Sequence, residues 1–542
     1  MALTSAVLVV LASVLAAAAL GSLSIPHNDA WAYSLIGVRF ADTGTFELVG
    51  WNAAALWGQV LAAAPFAALA GVAGQHLFVA LTGIALLVAT FAIVRRLAGE
   101  RWAALAVATT LAFPGFLLLS TSFMTEVPAT AAMVGCLLAG VAALEAARRG
   151  RSPIALVVAG VLVGCWGSTV RDQAVIAPLV VTVSWALAWR STRWRAAAWV
   201  GLGATMLVAV GFQVFRRSLA NNQSLSFLDP IPGLSDLRTV LLTAVTAGLV
   251  ILPLTIAPGM VALRRRLGTR GTLVVLIVWL VAASIMARAP RDLLVGNYLS
   301  PTGAYTAAAS GQRPWLLPWW DLLPALGVLG LLTVAATVVP AWQYLRSLEH
   351  RSEYYLVLGF GIAYAAGIVG QTSFGWGSFD RYLLPLLVPA AVLGALAWRH
   401  LRVAASRLPV TATIGALLVL IATSVPLSLN AWAFDAARWQ AGAAATADGW
   451  PANDVDAGLE WSGWHAQGPY GSGVPSAEDR SWWTGNLASA RSCVLVTSSQ
   501  EEGQVIAERT YRLLGFIGPP ATMYVIVTGA GECDLSPSGA SA

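Results

Sequence analysis

Long apolar runs dominate the first 430 positions of the chain and are separated by short polar stretches. A helix needs about 20 apolar residues to cross a bilayer. On that length, spans are expected near 4–24, 76–94, 102–120, 128–147, 153–169, 174–189, 196–214, 239–262, 271–287, 317–341, 354–373, 382–398 and 409–429. That makes thirteen. Beyond them the texture changes: 431–542 mixes aromatic and polar residues and carries two strand-like runs, at 493–499 and 524–529. The expected fold is an all-α polytopic membrane module over 1–430, followed by a small C-terminal α/β domain over 431–542.

One further run, 54–74, is apolar enough to be a span. The arginines argue against it. They cluster at 95, 96 and 101, at 148, 149 and 151, at 190, 193 and 195, at 264, 265, 266 and 270, at 346 and 351, and at 399, 402 and 407. With thirteen spans these are alternate loops on one side, which the positive-inside rule makes the cytoplasm. The N-terminus is then cytoplasmic and the tail extracytoplasmic. Arg216 and Arg217 run against the pattern. A span at 54–74 would invert the alternation downstream, so an interfacial helix is expected there instead, in a long first outer loop from 25 to 75. Long loops in compact proteins usually carry function. The run Leu3–Leu23 resembles a signal peptide, but no basic residue precedes it and many spans follow, so it is expected to be retained.

Composition agrees. Hydrophobic residues make up 58% of the chain, charged residues only 11%, and mean hydropathy is +0.72. A soluble domain carries about a quarter charged residues, so soluble globular and disordered classes are excluded. The net charge of +6 is entirely arginine on the basic side. Because those arginines sit at helix ends, they orient the chain in its membrane lipid and no nucleic-acid partner is expected. An Ala-rich, lysine-free chain suggests a GC-rich bacterial genome, hence a bacterial plasma membrane. Cys136 and Cys165 fall in apolar helices and are expected to be packing residues. Cys493 and Cys533, in an extracytoplasmic tail, are candidates for a disulfide. No Cys/His cluster has zinc spacing, and no metal or other cofactor is predicted.

The candidate chemistry lies in the outer loops. Asp29 follows the first span, Glu126 sits in SFMTEVPAT, Arg171-Asp172 end the fifth span, and Asp380-Arg381 begin the twelfth. An ionised group at bilayer depth costs a few kcal/mol, so each needs water, a partner or a ligand. Each has a plain alternative. Asp29 can be a solvated helix-end charge, and Glu126 can simply favour the helix dipole behind a Thr125 cap. Sequence neighbours pair poorly on a helix, so the two Arg/Asp pairs call for partners elsewhere. Four charged motifs from distant spans on one side suggest a shared outward polar cavity.

These motifs, in this order and on this side, resemble those of the GT-C glycosyltransferases, membrane enzymes dependent on polyprenyl-phosphate sugars. The branch of the protein O-mannosyltransferases and aminoarabinose transferases is the most similar. His27-Asn28-Asp29 looks like that family's first acidic motif, and Ser120 to Pro128 like its second. Arg171-Asp172-Gln173 and Phe379-Asp380-Arg381-Tyr382 look like its polar helix ends. Two departures stand out. Many members pair two acids where this chain has Asn28-Asp29, which weakens a divalent-metal site, and the second motif holds Glu rather than Asp. The tail matches no domain of that family.

The resemblance implies transfer of a hexosyl or pentosyl group from a polyprenyl-phosphate donor to an acceptor hydroxyl on the extracytoplasmic face, with inversion. The acceptor is a cell-envelope glycan, lipid or protein. Asp29 is then the expected general base, assisted by Glu126. Arg171, Arg288, Arg291 and Arg381 are the candidates for the donor phosphate, because arginine stays charged and binds phosphate through two donors. His27, Asn28, Trp31, Tyr33, Asp172, Gln173, Asp380 and Tyr382 are candidate substrate contacts, although Trp31 and Tyr33 read equally well as an interfacial aromatic belt. A transporter or flippase would place its charges nearer the midplane and show repeats. A lipid-linked glycan ligase or polymerase would share the outward cavity, and a scaffold would merely display the tail.

Overall fold

The computed structural model describes residues 2–528 except 52–53, 190, 223–236, 287–292, 302, 304–316, 376, 402–406, 474–480, 482 and 488–491. Each of the thirteen expected spans falls on a helical segment. The helices are α1 (Ala2–Ala19), α2 (Ala30–Thr43), α3 (Trp57–Ala98), α4 (Glu100–Ala112), α5 (Phe116–Leu119), α6 (Glu126–Arg148) and α7 (Ile154–Val170). They continue with α8 (Ile176–Ala188), α9 (Thr192–Arg217), α10 (Leu237–Met286), α11 (Leu323–Ser347), α12 (Ser352–Ser373), α13 (Leu387–Leu401) and α14 (Arg407–Ala447). Among the described residues, nine helices are long and apolar enough to cross a membrane, and α7 and α8 are shorter apolar ones. Their outward side chains confirm the solvent: Leu187, Val200, Leu207 and Ile362 are 72–79% exposed. In water such a surface would aggregate; in lipid it is the expected exterior.

The run at 54–74 is helical from Trp57 onward but bends away from the remainder of its helix. α3 breaks at Ala70 and Gly71, where Gly71 takes φ 55°, ψ −132°. Only a residue without a side chain fits just beyond the bend, because a Cβ on Gly74 would lie 1.9 Å from the Phe66 carbonyl oxygen. The arm before the bend is thereby folded back on the helix after it, and Phe66 packs on Phe78 at 5.7 Å. α10 breaks in the same way at Gly268, which separates two of the expected spans. α2 was not anticipated. It begins right after Asp29 and ends at Gly44 in the left-handed conformation, φ 71°, a common helix stop.

α14 runs unbroken from Arg407 to Ala447 and carries the tail's core on its last turns. Phe434, Ala437 and Ala441 pack with Trp461, Val494, Met523 and Val525. The tail adds a short helix α15 (Leu459–His465) and a four-stranded sheet of order β1-β2-β4-β3. Its strands are β1 (Val455–Asp456), β2 (Val494–Thr497), β3 (Gln504–Arg512) and β4 (Pro520–Val527). β1 pairs parallel to β2, and the other pairs are antiparallel. The two strand-like runs become β2 and β4. β3 went unseen because its faces are largely exposed and polar, so it lacks an apolar alternation. Cys493 is disulfide-bonded and Cys136 and Cys165 are free; Cys533 lies outside the described residues.

Candidate active site

The charged motifs meet where four helix ends converge. Asp29 is the N-cap of α2, Glu126 opens α6, Arg171 closes α7, and Arg381 lies in a 3-10 turn, Asp380–Leu386, that leads into α13. Arg381 lies at the centre. Its Nη2 donates to Asp29 Oδ2 at 2.8 Å, and its Nη1 donates to Asn297 Oδ1. Its Nε lies 2.7 Å from Glu126 Oε1, an ion-pair contact without the angle of a hydrogen bond. Arg171 Nη1 donates to the same Oε1 at 2.8 Å and to Thr125 Oγ1 at 2.7 Å. One carboxylate oxygen is thus shared by two guanidiniums, while Glu126 Oε2 is buried with no hydrogen-bond partner.

Aromatic rings complete the cluster. The Arg171 guanidinium stacks 4.4 Å over Tyr382, and that of Arg381 lies 4.5 Å over Phe379. Tyr33 and Tyr298 are buried beside it. Burial, reinforced by Asp29 and Glu126, holds the Tyr33 phenol well above its ordinary value, and burial does the same for Tyr298. Neither is an acid or base near neutral pH. The Asp29 side chain is 16% exposed, against 2% for Glu126 and 3% for Arg381. Asp29 is therefore the carboxylate that an incoming molecule can reach.

The other expected residues divide. Asn28 donates from its side chain to Asn297 Oδ1 at 2.7 Å and so joins the site. Gln173 bonds Gln371 and receives Arg171 Nε at 3.3 Å, orienting that arginine. Asp380 is committed to backbone: it receives the Leu299 N–H, and the Arg381 N–H at 2.7 Å. It shapes the loop that presents Asn297 and is no open contact for substrate. Asp172 turns away and receives Gln213 Nε2 at 2.7 Å and Arg216 Nη1 at 2.5 Å. This explains why Arg216 departs from the arginine alternation: it is buried against a carboxylate. His27 is held between Ser22 and Asp435. Trp31 is 1% exposed and packed on Gly463, so neither an aromatic belt nor a face free for stacking describes it. It borders a cavity of about 340 Å³ between α2, residues 46–49, residues 219–221 and the tail at 463–469. Arg288 and Arg291 lie outside the described residues.

Sequence reasoning missed Trp51, whose indole N–H donates to Asp29 Oδ1 at 3.0 Å. It also missed Asp435 and Arg438, an acid and a base one turn apart on α14, a spacing visible in the sequence. Among the described residues, no three His, Cys, Asp or Glu side chains gather as a metal site.

No protein-family model matches the chain, and no curated protein matches it. In structure it is similar to ArnT from Cupriavidus metallidurans bound to undecaprenyl phosphate, at TM-score 0.40 and 16% identity over 97% of this chain and 98% of that one. It is also similar to the archaeal oligosaccharyltransferase AglB from Archaeoglobus fulgidus in complex with an inhibitory peptide and a dolichol-phosphate. That likeness has TM-score 0.39 and 14% identity over 80% of this chain and 55% of that one. The chain therefore spans about half the length of the archaeal enzyme. A fold likeness does not fix an activity, so function is argued from the site itself.

Proposed function

We propose that the chain is an inverting membrane glycosyltransferase that moves a sugar from a polyprenyl-phosphate donor to an acceptor hydroxyl on the extracytoplasmic face. The observation that carries this reading is the bridge Asp29–Arg381–Glu126–Arg171 at one end of the bundle. It sets a reachable carboxylate beside two permanently charged guanidiniums, Arg381 buried and Arg171 nearly so. The acceptor oxygen forms a bond to the anomeric carbon as its proton passes to Asp29. The bond from that carbon to the phosphate oxygen breaks, and the charge left on the phosphate is met by Arg171 and Arg381. Glu126, too buried to meet an acceptor, holds the two guanidiniums side by side. Arginine takes the charge-neutralising part that a divalent ion would otherwise play, and no metal is assigned. A hexosyl or a pentosyl donor fits this chemistry equally.

The test is release of polyprenyl phosphate from a panel of radiolabelled polyprenyl-phosphate sugars by the purified full-length chain in lipid nanodiscs, supplied with a cell-envelope extract as the source of acceptor hydroxyls. Release is expected with at least one sugar, which separates an enzyme from a transporter or scaffold. Asp29→Asn should lower the rate by about 10²–10⁴-fold, the usual worth of a general base, in a chain that still folds. Full activity in that variant removes the assignment.

A further inference from the structure

The residues that precede Asp29 are held from the tail as well as by Ser22. Asn28 takes a left-handed conformation, φ 52°, which is uncommon for a residue with a side chain. Its backbone N–H donates to Glu460 Oε1, on the first turn of α15, at 3.2 Å. Glu460 Oε2 in turn receives Arg438 Nη1 at 2.9 Å, and that nitrogen also donates to the Ala457 carbonyl at 2.6 Å. Arg438 Nη2 reaches Asp435 Oδ1 at 3.4 Å, and Asp435 Oδ2 lies 3.0 Å from His27 Nδ1. The side chains of His27, Asp435, Arg438 and Glu460 are each 2% exposed or less.

A second route reaches Asp29 from the other side. The Tyr470 N–H donates to the Val49 carbonyl at 2.8 Å. The Tyr470 ring meets Trp51 edge-on at 4.6 Å, and the Trp51 indole holds Asp29. The tail therefore fixes both the peptide before Asp29 and the donor on its carboxylate. A buried ionic network is no better for stability than well-packed apolar residues of similar volume. Stability alone does not call for one at this place.

We propose that the C-terminal region is part of the active site, with Glu460, Arg438 and Trp51 acting as positioning residues for Asp29. The proposal rests on Asp29 being the base. The experiment measures kcat and donor KM separately in the same release assay, on the full-length chain. Glu460→Ala should lower kcat by about 10²-fold, the loss expected from roughly 1 Å of misplacement, with donor KM within about twofold of the wild type. Glu460→Gln keeps an oxygen for the Asn28 N–H and should recover most of the rate. Trp51→Phe keeps the ring on Tyr470, removes the donor to Asp29, and should lower kcat in the same way. Should Glu460→Ala fail to fold, Tyr470→Ala, which removes the tail's ring from Trp51, decides the question by the same fall in kcat. Wild-type kcat in Trp51→Phe and in a folded Glu460→Ala, beside an inactive Asp29→Asn, overturns the positioning role alone. Equal activity of Asp29→Asn and wild type removes the base, and this proposal with it. A fall in kcat that Glu460→Gln does not restore assigns Glu460 to folding and overturns its part.

Discussion

Arg381 touches Asp29, Asn297 and Glu126 through three different nitrogens. A lysine places one ammonium where this planar fork spreads three contacts, so Arg381→Lys is not a conservative change here. It should lower kcat/KM by about 10- to 100-fold, the equivalent of roughly 1.5–3 kcal/mol for a charged hydrogen bond. Steady-state kinetics with the labelled donor would check this; a change below twofold would show that charge alone suffices. At this scale Asp29, Glu126, Arg171 and Arg381 were legible in the sequence, because an ionised residue beside an apolar run has to be accounted for. Trp51 was not, because an indole in a loop is ordinary until the chain that faces it is known. Arg438 left only the one-turn spacing from Asp435, which does not name Glu460 as its partner.

Elements show the same division. The thirteen spans follow from length and apolar content once the arginine pattern sets 54–74 aside, and β2 and β4 follow from their apolar runs. α2 escaped notice because it lies between two stronger features and mixes polar with apolar faces. The join between loop and tail depends on Gly50, whose φ is 78° and where a Cβ would lie 2.4 Å from the Tyr470 carbonyl oxygen. Gly50→Ala should push the tail off residues 49–51 and speed chymotryptic cleavage after Tyr470; an unchanged digestion rate would refute the contact. α15 supplies a pH dependence. His465 lies against Trp461 at 4.2 Å, and burial lowers its pKa from the ordinary 6.5, opposed by its bond to the Trp461 carbonyl. The unfolded chain then binds the proton more readily than the folded one, so tail stability falls as pH drops below about 6.5. Thermal unfolding at pH 7.5 and pH 5 should show that loss, and His465→Asn should remove it.

For the molecule as a whole, the arginine alternation predicts an orientation that labelling can read. Ser152 follows the basic end of α6, and Ser472 lies in the tail; both are exposed. In sealed cells a membrane-impermeant maleimide should label Ser472→Cys and leave Ser152→Cys untouched until the membrane is opened. The reverse pattern would invert the topology and place Asp29 in the cytoplasm.

Hydropathy is a local quantity, and burial in lipid depends on little else. This is why the apolar runs and the polar character of the tail can be read one segment at a time. Partner choice is not local. Asp29 meets Arg381 across 352 positions, and Asn28 meets Glu460 across 432. No periodicity relates residues so far apart; only packing of α2, α6, α13 and α15 brings them within reach. For the same reason Asp172 and Asp380, alike in sequence to the acids of the site, are drawn off by Arg216 and by backbone N–H groups. The chain's local chemistry nominates charged residues, and the fold selects which of them face one another.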